Sequence, residues 1–437
     1  MPTKYMVIVA ILSSIATASS NQLANLCQKA LQNNPRIKSY GHRTLAGHSF
    51  YDQSIDRYKP NVNISGQYGN QNYKYEYPDR DDKYHGTNYN YNLSLRQPIY
   101  RAQLIEAISD AKAKETLSIL QEDDEKAKLV TQVVQNAIDL ARQKKIISIL
   151  KKKVTLLKAA YENIDQKFIV QMASNVEKYQ ALAKLQQSKS DLIKAQQIYD
   201  SNLYNLRLLT KYDDVEKYVD SINFNIEALR GAYTKSKIRS IQESIHNNTR
   251  IKLDDQSVRI AKIQIELRNS ERSPQIDATL SYGDAGGSID TITRKDETRA
   301  MISLNFPLFQ GGLVDDRVKE ARYLYYAARE DAENSRLNIK ISLEKTLQNI
   351  KGGLASIQAE LSAVDASKKY FEGATKSYQS GVSSLTDAYI AEADYRDAQL
   401  RVVNTEADIL SSLAEVYYYN GHTDYKSIKR LQDKYLR

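Results

Sequence analysis

Residues 99–230 contain neither proline nor glycine, a run of 132 residues without a helix breaker. These are the two residues that a helix interior tolerates least, so the run predicts helix throughout. A single helix of that length would reach about 200 Å at 1.5 Å per residue. The chain is therefore expected to fold back once, as a hairpin with two very long arms. Every seventh residue of the first arm is apolar: Val133, Leu140, Ile147, Val154, Tyr161 and Phe168, with Leu150, Leu157 and Ile164 three positions on. Leu185, Leu192, Tyr199 and Leu206 repeat the spacing on the way back. That is a coiled-coil seam. Only 171–175 interrupts it, with short polar residues, which places the turn there.

The same seam recurs 210 residues later, as Leu343, Ile350, Ile357, Val364, Phe371 and Tyr378, then Tyr395, Val402, Ile409 and Val416. Upstream the offset is 214: Asn33-Asn34 against Asn247-Asn248, Pro60 against Pro274, Tyr68-Gly69 against Tyr282-Gly283. The chain reads as a tandem duplication. The first repeat covers 19–212, with a helical hairpin over 99–209. A linker, 213–227, leads to the second repeat, 228–420, with its hairpin over 308–419. A basic tail, 421–437, follows.

Each repeat also carries two alternating segments. Tyr89, Tyr91, Leu93 and Leu95 alternate with Asn88, Asn90, Asn92, Ser94 and Arg96, and Val62, Ile64 and Tyr68 with Asn63, Ser65 and Gln67. Strands are expected over 61–70, 87–97, 275–283 and 299–306, joined by polar loops at 71–86 and 284–298. Strands of about 8 to 10 residues are long enough to cross a bilayer at a tilt. An open sheet edge cannot persist in lipid, because its N–H and C=O groups stay unpaired. Several chains would have to pool their strands, with the Asn and Ser face toward water and the Tyr and Leu face toward lipid. Tyr73, Tyr75, Tyr77 and Tyr84 are expected to form an interfacial girdle.

The first eighteen residues, with Lys4 ahead of a short apolar run and Ala16-Thr17-Ala18 after it, predict a signal peptide and export. Cys27 is the one cysteine, so neither a disulfide framework nor a cysteine zinc site is expected, and the five scattered histidines lack metal-ligand spacing. Leu26 stands where a lipid-accepting cysteine needs a small neighbour, which leaves Cys27 as a buried thiol. A formal charge of +9 is a thin surplus over 437 residues, and exported lysines beside a heptad seam read as a solvated face, not a nucleic-acid site. No phosphate loop, nucleophile elbow or zinc signature is present, so no enzyme and no cofactor is expected.

These features together resemble the TolC family of outer-membrane efflux and secretion channels. Ala30-Leu31-Gln32-Asn33-Asn34-Pro35 is similar to its N-terminal motif, and Phe306-Pro307-Leu308-Phe309-Gln310-Gly311-Gly312 to its strand-to-helix motif. Tyr378, Gly381 and Ser384 to Ala388 resemble its second hairpin tip. The resemblance implies a mainly α fold with a small β part. It implies a homotrimer whose twelve-stranded barrel in the outer membrane of a Gram-negative bacterium continues as a helical tunnel in the periplasm. It also implies a passive exit duct for efflux or type I secretion that docks a periplasmic adaptor and an inner-membrane transporter. A periplasmic coiled-coil scaffold without a pore is the alternative.

Pro98 and Pro307, with Gly311 and Gly312, are expected at the strand-to-helix junctions, the prolines in the first helical turn. Gln171, Ala173, Ser174, Gly381 and Ser384 are candidate docking residues at the hairpin tips, whose small side chains permit close approach, and Gly381 equally suits a simple turn. Asp387 and Glu177, with Tyr378 and Phe168 before them, are candidates for the inner gate. By resemblance Asp387 corresponds to an acidic ring and Tyr378 to a closing tyrosine, while Ser383 and Ile390 depart from the family pattern. The alternative for both carboxylates is a helix-start role worth about 0.3–1 kcal/mol each.

Overall fold

The computed structural model describes residues 22–220, 222–229, 244, 246–288 and 294–436; the expected signal peptide lies outside them. The first repeat runs α1 (Gln22–Asn33), α2 (Pro35–Asp56), β1 (Asn61–Glu76), β2 (Asp81–Arg101), α3 (Ala102–Ile169), α4 (Asn175–Thr210) and the short α5 (Glu216–Val219). The second runs α6 (Thr249–Asn269), β3 (Gln275–Gly287), β4 (Arg294–Asn305), α7 (Leu313–Gln379), α8 (Leu385–Tyr419) and α9 (Tyr425–Tyr435). The fold is mainly helical with a small sheet. Helices α3 and α7, of 68 and 67 residues, are each about 100 Å long by their rise.

The chain divides into two compact units. One comprises Met1–Tyr40, Glu122–Lys252 and Asn334–Arg437. Its core takes the heptad residues: Val133, Leu140, Leu206, Leu343, Ile350, Ile357 and Ile409 are all at most 2% exposed. Along α3 the buried series passes to Leu150, Leu157 and Ile164. Between α7 and α8 the heptad aromatics Phe371 and Tyr395 stack at 6.4 Å with planes 6° apart. Cys27 lies in this core beside Leu23, Leu26 and Ala30, and burial pushes its thiol up to about 12.

The expected basic tail and the expected linker both contribute side chains to this core. In the basic C-terminal tail, α9 buries Ile428, Leu431 and Tyr435, and Leu436 just after it is buried as well. Its apolar stripe is interleaved with Lys426, Lys429, Arg430 and Lys434, whose charge hides it in the composition. Gln432 also accepts from the Leu23 N–H at 3.0 Å, tying α9 to α1. The linker 213–227 likewise buries Val215, Val219, Ile222 and Ile226.

The other unit, Gly41–Gln121 and Leu253–Glu333, holds one antiparallel four-stranded sheet in the order β1-β2-β3-β4. The strands outrun the expected segments. β1 and β2 stay paired up to Glu76↔Asp81, and β3 and β4 up to Gly286↔Arg294, so much of the expected loops is ladder. Polar composition suggested loops there, but the hydrogen-bonded ladder needs only backbone.

Candidate functional site

The register assigns every strand residue to one of two unlike faces. Val62, Leu95, Leu280 and Ala300 form one cross-strand row, and Ile64, Leu93, Tyr282 and Thr298 the next. This face is apolar yet uncovered: Ile64 is 77% exposed, Tyr68 75% and Ile302 75%. The opposite face carries the rows Asn63, Ser94, Ser281, Arg299 and Ser65, Asn92, Gly283, Glu297. Within the sheet β1 and β4 each have one paired and one open edge.

The expected tyrosine girdle is corrected by this register. Because β1 runs unbroken from Asn61, the two-residue period carries through, and Tyr75 shares the parity of Gln71 on the polar face. The tyrosines on the apolar face are Tyr68, Tyr89, Tyr91, Tyr282 and, past the slip in register, Tyr100 opposite Ile276. An expected loop breaks the count of parity, and that produced the error.

At the junctions neither proline opens a helix. Pro98 lies inside β2, where the register slips between Pro98 and Tyr100, and α3 begins at Ala102. Proline has no N–H for the ladder, so it sits at a bulge. Pro307 stands between β4 and α7, and the chain turns into α7 through Gly311 (φ 60°) and Gly312 (φ 87°), left-handed conformations that glycine adopts without strain.

The hairpin tips are built identically. Helix α3 stops with the Met172 N–H donating to the Lys167 carbonyl at 2.7 Å and the Gln171 N–H to the Phe168 carbonyl at 3.0 Å. Helix α7 stops with Val382 donating to Ser377 at 2.9 Å and Gly381 to Tyr378 at 3.0 Å. Both patterns need a left-handed residue: Gln171 (φ 59°) and Gly381 (φ 75°) supply it at equivalent positions. Ala173 is half-buried in the first turn. Ser174 and Ser384 then cap α4 and α8. Each hydroxyl accepts from the N–H of Glu177 or Asp387, and that carboxylate accepts from the serine N–H in return. The Ser174 N–H and hydroxyl hold the Glu177 carboxyl below the usual carboxylate range. Both carboxylates remain exposed, while Phe168 and Tyr378 are half-buried. Lys178 lies 4.6 Å from the Phe168 ring centroid and 2.7 Å from Asp165.

The sequence profile of the family described as outer membrane efflux protein matches residues 26–210 and 240–422, one stretch per repeat. The chain belongs to that family. Among its relatives, the outer membrane protein TolC of Salmonella enteritidis is 23% identical over 275 residues. That alignment spans 60% of this chain and 55% of TolC, so it reaches only about half the length of the relative. TolC of Vibrio cholerae is 20% identical over 414 residues, 92% of each chain. The crystal structure of the Campylobacter jejuni CmeC outer membrane channel has the same fold, with a TM-score of 0.79, 17% identity and coverage of 95% of this chain and 90% of that one.

In this efflux family member the asparagine motif has a role that the sequence reading missed. Asn34 donates from Nδ2 to the Leu209 carbonyl at 2.9 Å and accepts from the Arg36 N–H at 2.9 Å. Asn248 donates to the Tyr419 carbonyl at 3.0 Å and accepts from the Ile251 N–H at 3.1 Å. Each thus caps its own helix and holds the end of the return arm of its repeat. The recurrence of an asparagine pair ahead of both helices was the available signal. Among the described residues no group of His, Cys, Asp or Glu could hold a metal ion, and no helix is long and apolar enough to cross a membrane.

Proposed function

We propose that this chain is one subunit of a passive outer-membrane efflux duct. Three copies pool twelve strands into a barrel, and their helical hairpins continue it as a periplasmic tunnel through which cargo leaves without chemistry. The observation that carries this reading is the uncovered apolar face spanning all four strands, on a sheet whose two edges are open. Lipid is the surrounding that makes such a face favourable, and only ring closure satisfies the edges. Two copies would give eight strands with a filled interior, whereas three leave a lumen. The tips serve as docking points for a periplasmic adaptor through Gln171, Ala173, Ser174, Gly381 and Ser384, linking the duct to an inner-membrane transporter. Phe168, Glu177, Tyr378 and Asp387 form its inner constriction. The two repeats, 19–212 and 228–420, supply one hairpin each.

Cell fractionation with detergent extraction tests the proposal. Heat-resistant trimers in the outer-membrane fraction that conduct after reconstitution are expected. Recovery as a soluble periplasmic protein would replace the duct with a coiled-coil scaffold, and a monomer that inserts and conducts would remove the shared barrel.

A further inference from the structure

The polar face of the sheet is not uniformly neutral. Along β1 it presents Asn61, Asn63, Ser65 and Gln67, none charged. Apart from Asp82, which lies on the β1–β2 ribbon beyond the reach of β3 and 3.2 Å from Arg80, its charges fall in two groups on β2, β3 and β4. In the first, Asp277 is buried between two arginines: Arg96 Nη2 donates to Oδ2 at 2.7 Å and Arg101 Nε to Oδ1 at 2.8 Å. The bulge after Pro98 brings Arg101 to this side, since it inserts one residue and reverses parity, leaving Arg101 opposite Gln275. In the second group Glu297 is bracketed by Arg299 and by Lys295 at 3.1 Å.

Each carboxylate therefore has two cations, and each group keeps one positive charge in excess. The two groups put four basic and two acidic side chains on this face, Arg101 and Asp277 lying past the last β1–β2 pair, Asn61↔Arg96. Arg96 is well exposed in the first group, at 59% of the side chain, and both cations are in the second, Lys295 at 62% and Arg299 at 53%. On β3 the groups lie six residues apart, from Asp277 to Gly283 opposite Glu297, or about 20 Å at the strand rise.

We infer that the inner wall of the barrel binds multivalent anions at two rings, one set by Arg96, Arg101 and Asp277, the other by Lys295, Glu297 and Arg299. The inference rests on the duct reading, which turns the polar face inward and repeats each group three times around one axis. Three surplus charges per ring within a confined lumen concentrate carboxylate- or phosphate-bearing solutes. The duct accordingly favours anionic cargo along its barrel.

The test uses Arg96→Gln combined with Lys295→Gln, which leaves every carboxylate one cation and orphans no buried charge. Reconstituted trimers in purely zwitterionic lipid, where no anionic headgroup competes, are recorded with tripolyphosphate in either chamber. The unsubstituted channel is expected to be blocked, and the double variant to need about ten-fold more tripolyphosphate, with a shift of the reversal potential toward cations. Pores that form but ignore tripolyphosphate, or a double variant blocked as well as its parent, overturn the inference alone. Trimers that form no pore overturn the duct reading and this inference with it.

Discussion

At the residue scale, Asn34 and Asn248 do the same work at two places separated by the duplication. Asn248 is 1% exposed, and its amide satisfies both the first turn of α6 and the Tyr419 carbonyl at the end of α8. Asn248→Ala leaves both groups without that partner, and an unsatisfied buried polar group costs about 1–3 kcal/mol. Thermal unfolding of the purified protein followed by circular dichroism should show a clear drop in midpoint for Asn248→Ala. The drop for Asn34→Ala should be smaller, since Asn34 is 8% exposed and water can reach it more easily. Equal midpoints for Asn248→Ala and its parent would show that the return arm is held by packing alone.

At the element scale, the second hairpin contains two adjacent glycines within a 67-residue helix, and they are not equivalent. A Cβ on Gly352 meets nothing within 4 Å, whereas one on Gly353 falls 2.5 Å from Ile409 Cγ1. Ile409 is 2% exposed and cannot swing away, so the glycine at 353 sets how closely α8 lies against α7. Gly352→Ala should stabilise by about 0.5–1 kcal/mol through helix propensity. Gly353→Ala should destabilise by about 1–3 kcal/mol through overpacking. Denaturant unfolding of the two variants should shift in opposite directions; a shared direction would mean that α7 and α8 separate freely at this level.

At the scale of the whole molecule, the tips pose a question that one chain leaves to its assembly. The capping box gives Asp387 a complete local role, yet its side chain stays exposed. In a trimer whose tips converge, three such carboxylates surround one axis and attract multivalent cations. Asp387→Asn retains an oxygen acceptor for the cap, so trimer yield should be unchanged. Block by divalent cations and cation selectivity should both weaken in single-channel recordings. Unaltered block would confine Asp387 to starting α8. The readout is separate from that of the anion rings, because one titrates with divalent cations and the other with tripolyphosphate.

Local signals were legible because they depend on neighbours in the chain. The absence of helix breakers over 99–230, the heptads and the 210-residue offset determined long duplicated hairpins, and Ser174, Glu177, Ser384 and Asp387 carry their capping pattern openly. The apolar and polar alternation of the strands was equally plain. What only the tertiary structure decided depends on residues far apart. The pairing of β2 with β3 joins the two repeats into one sheet, and the register of β1 with β2 places Tyr75 of the expected girdle on the polar face. The bulge at Pro98 aims Arg101 at a carboxylate 176 residues away, and α9 docks on α1 across more than 400 positions. Periodicity reports which face a residue occupies within its own element. Which element that face meets is set by backbone hydrogen bonds and burial between distant segments, and no local pattern encodes them.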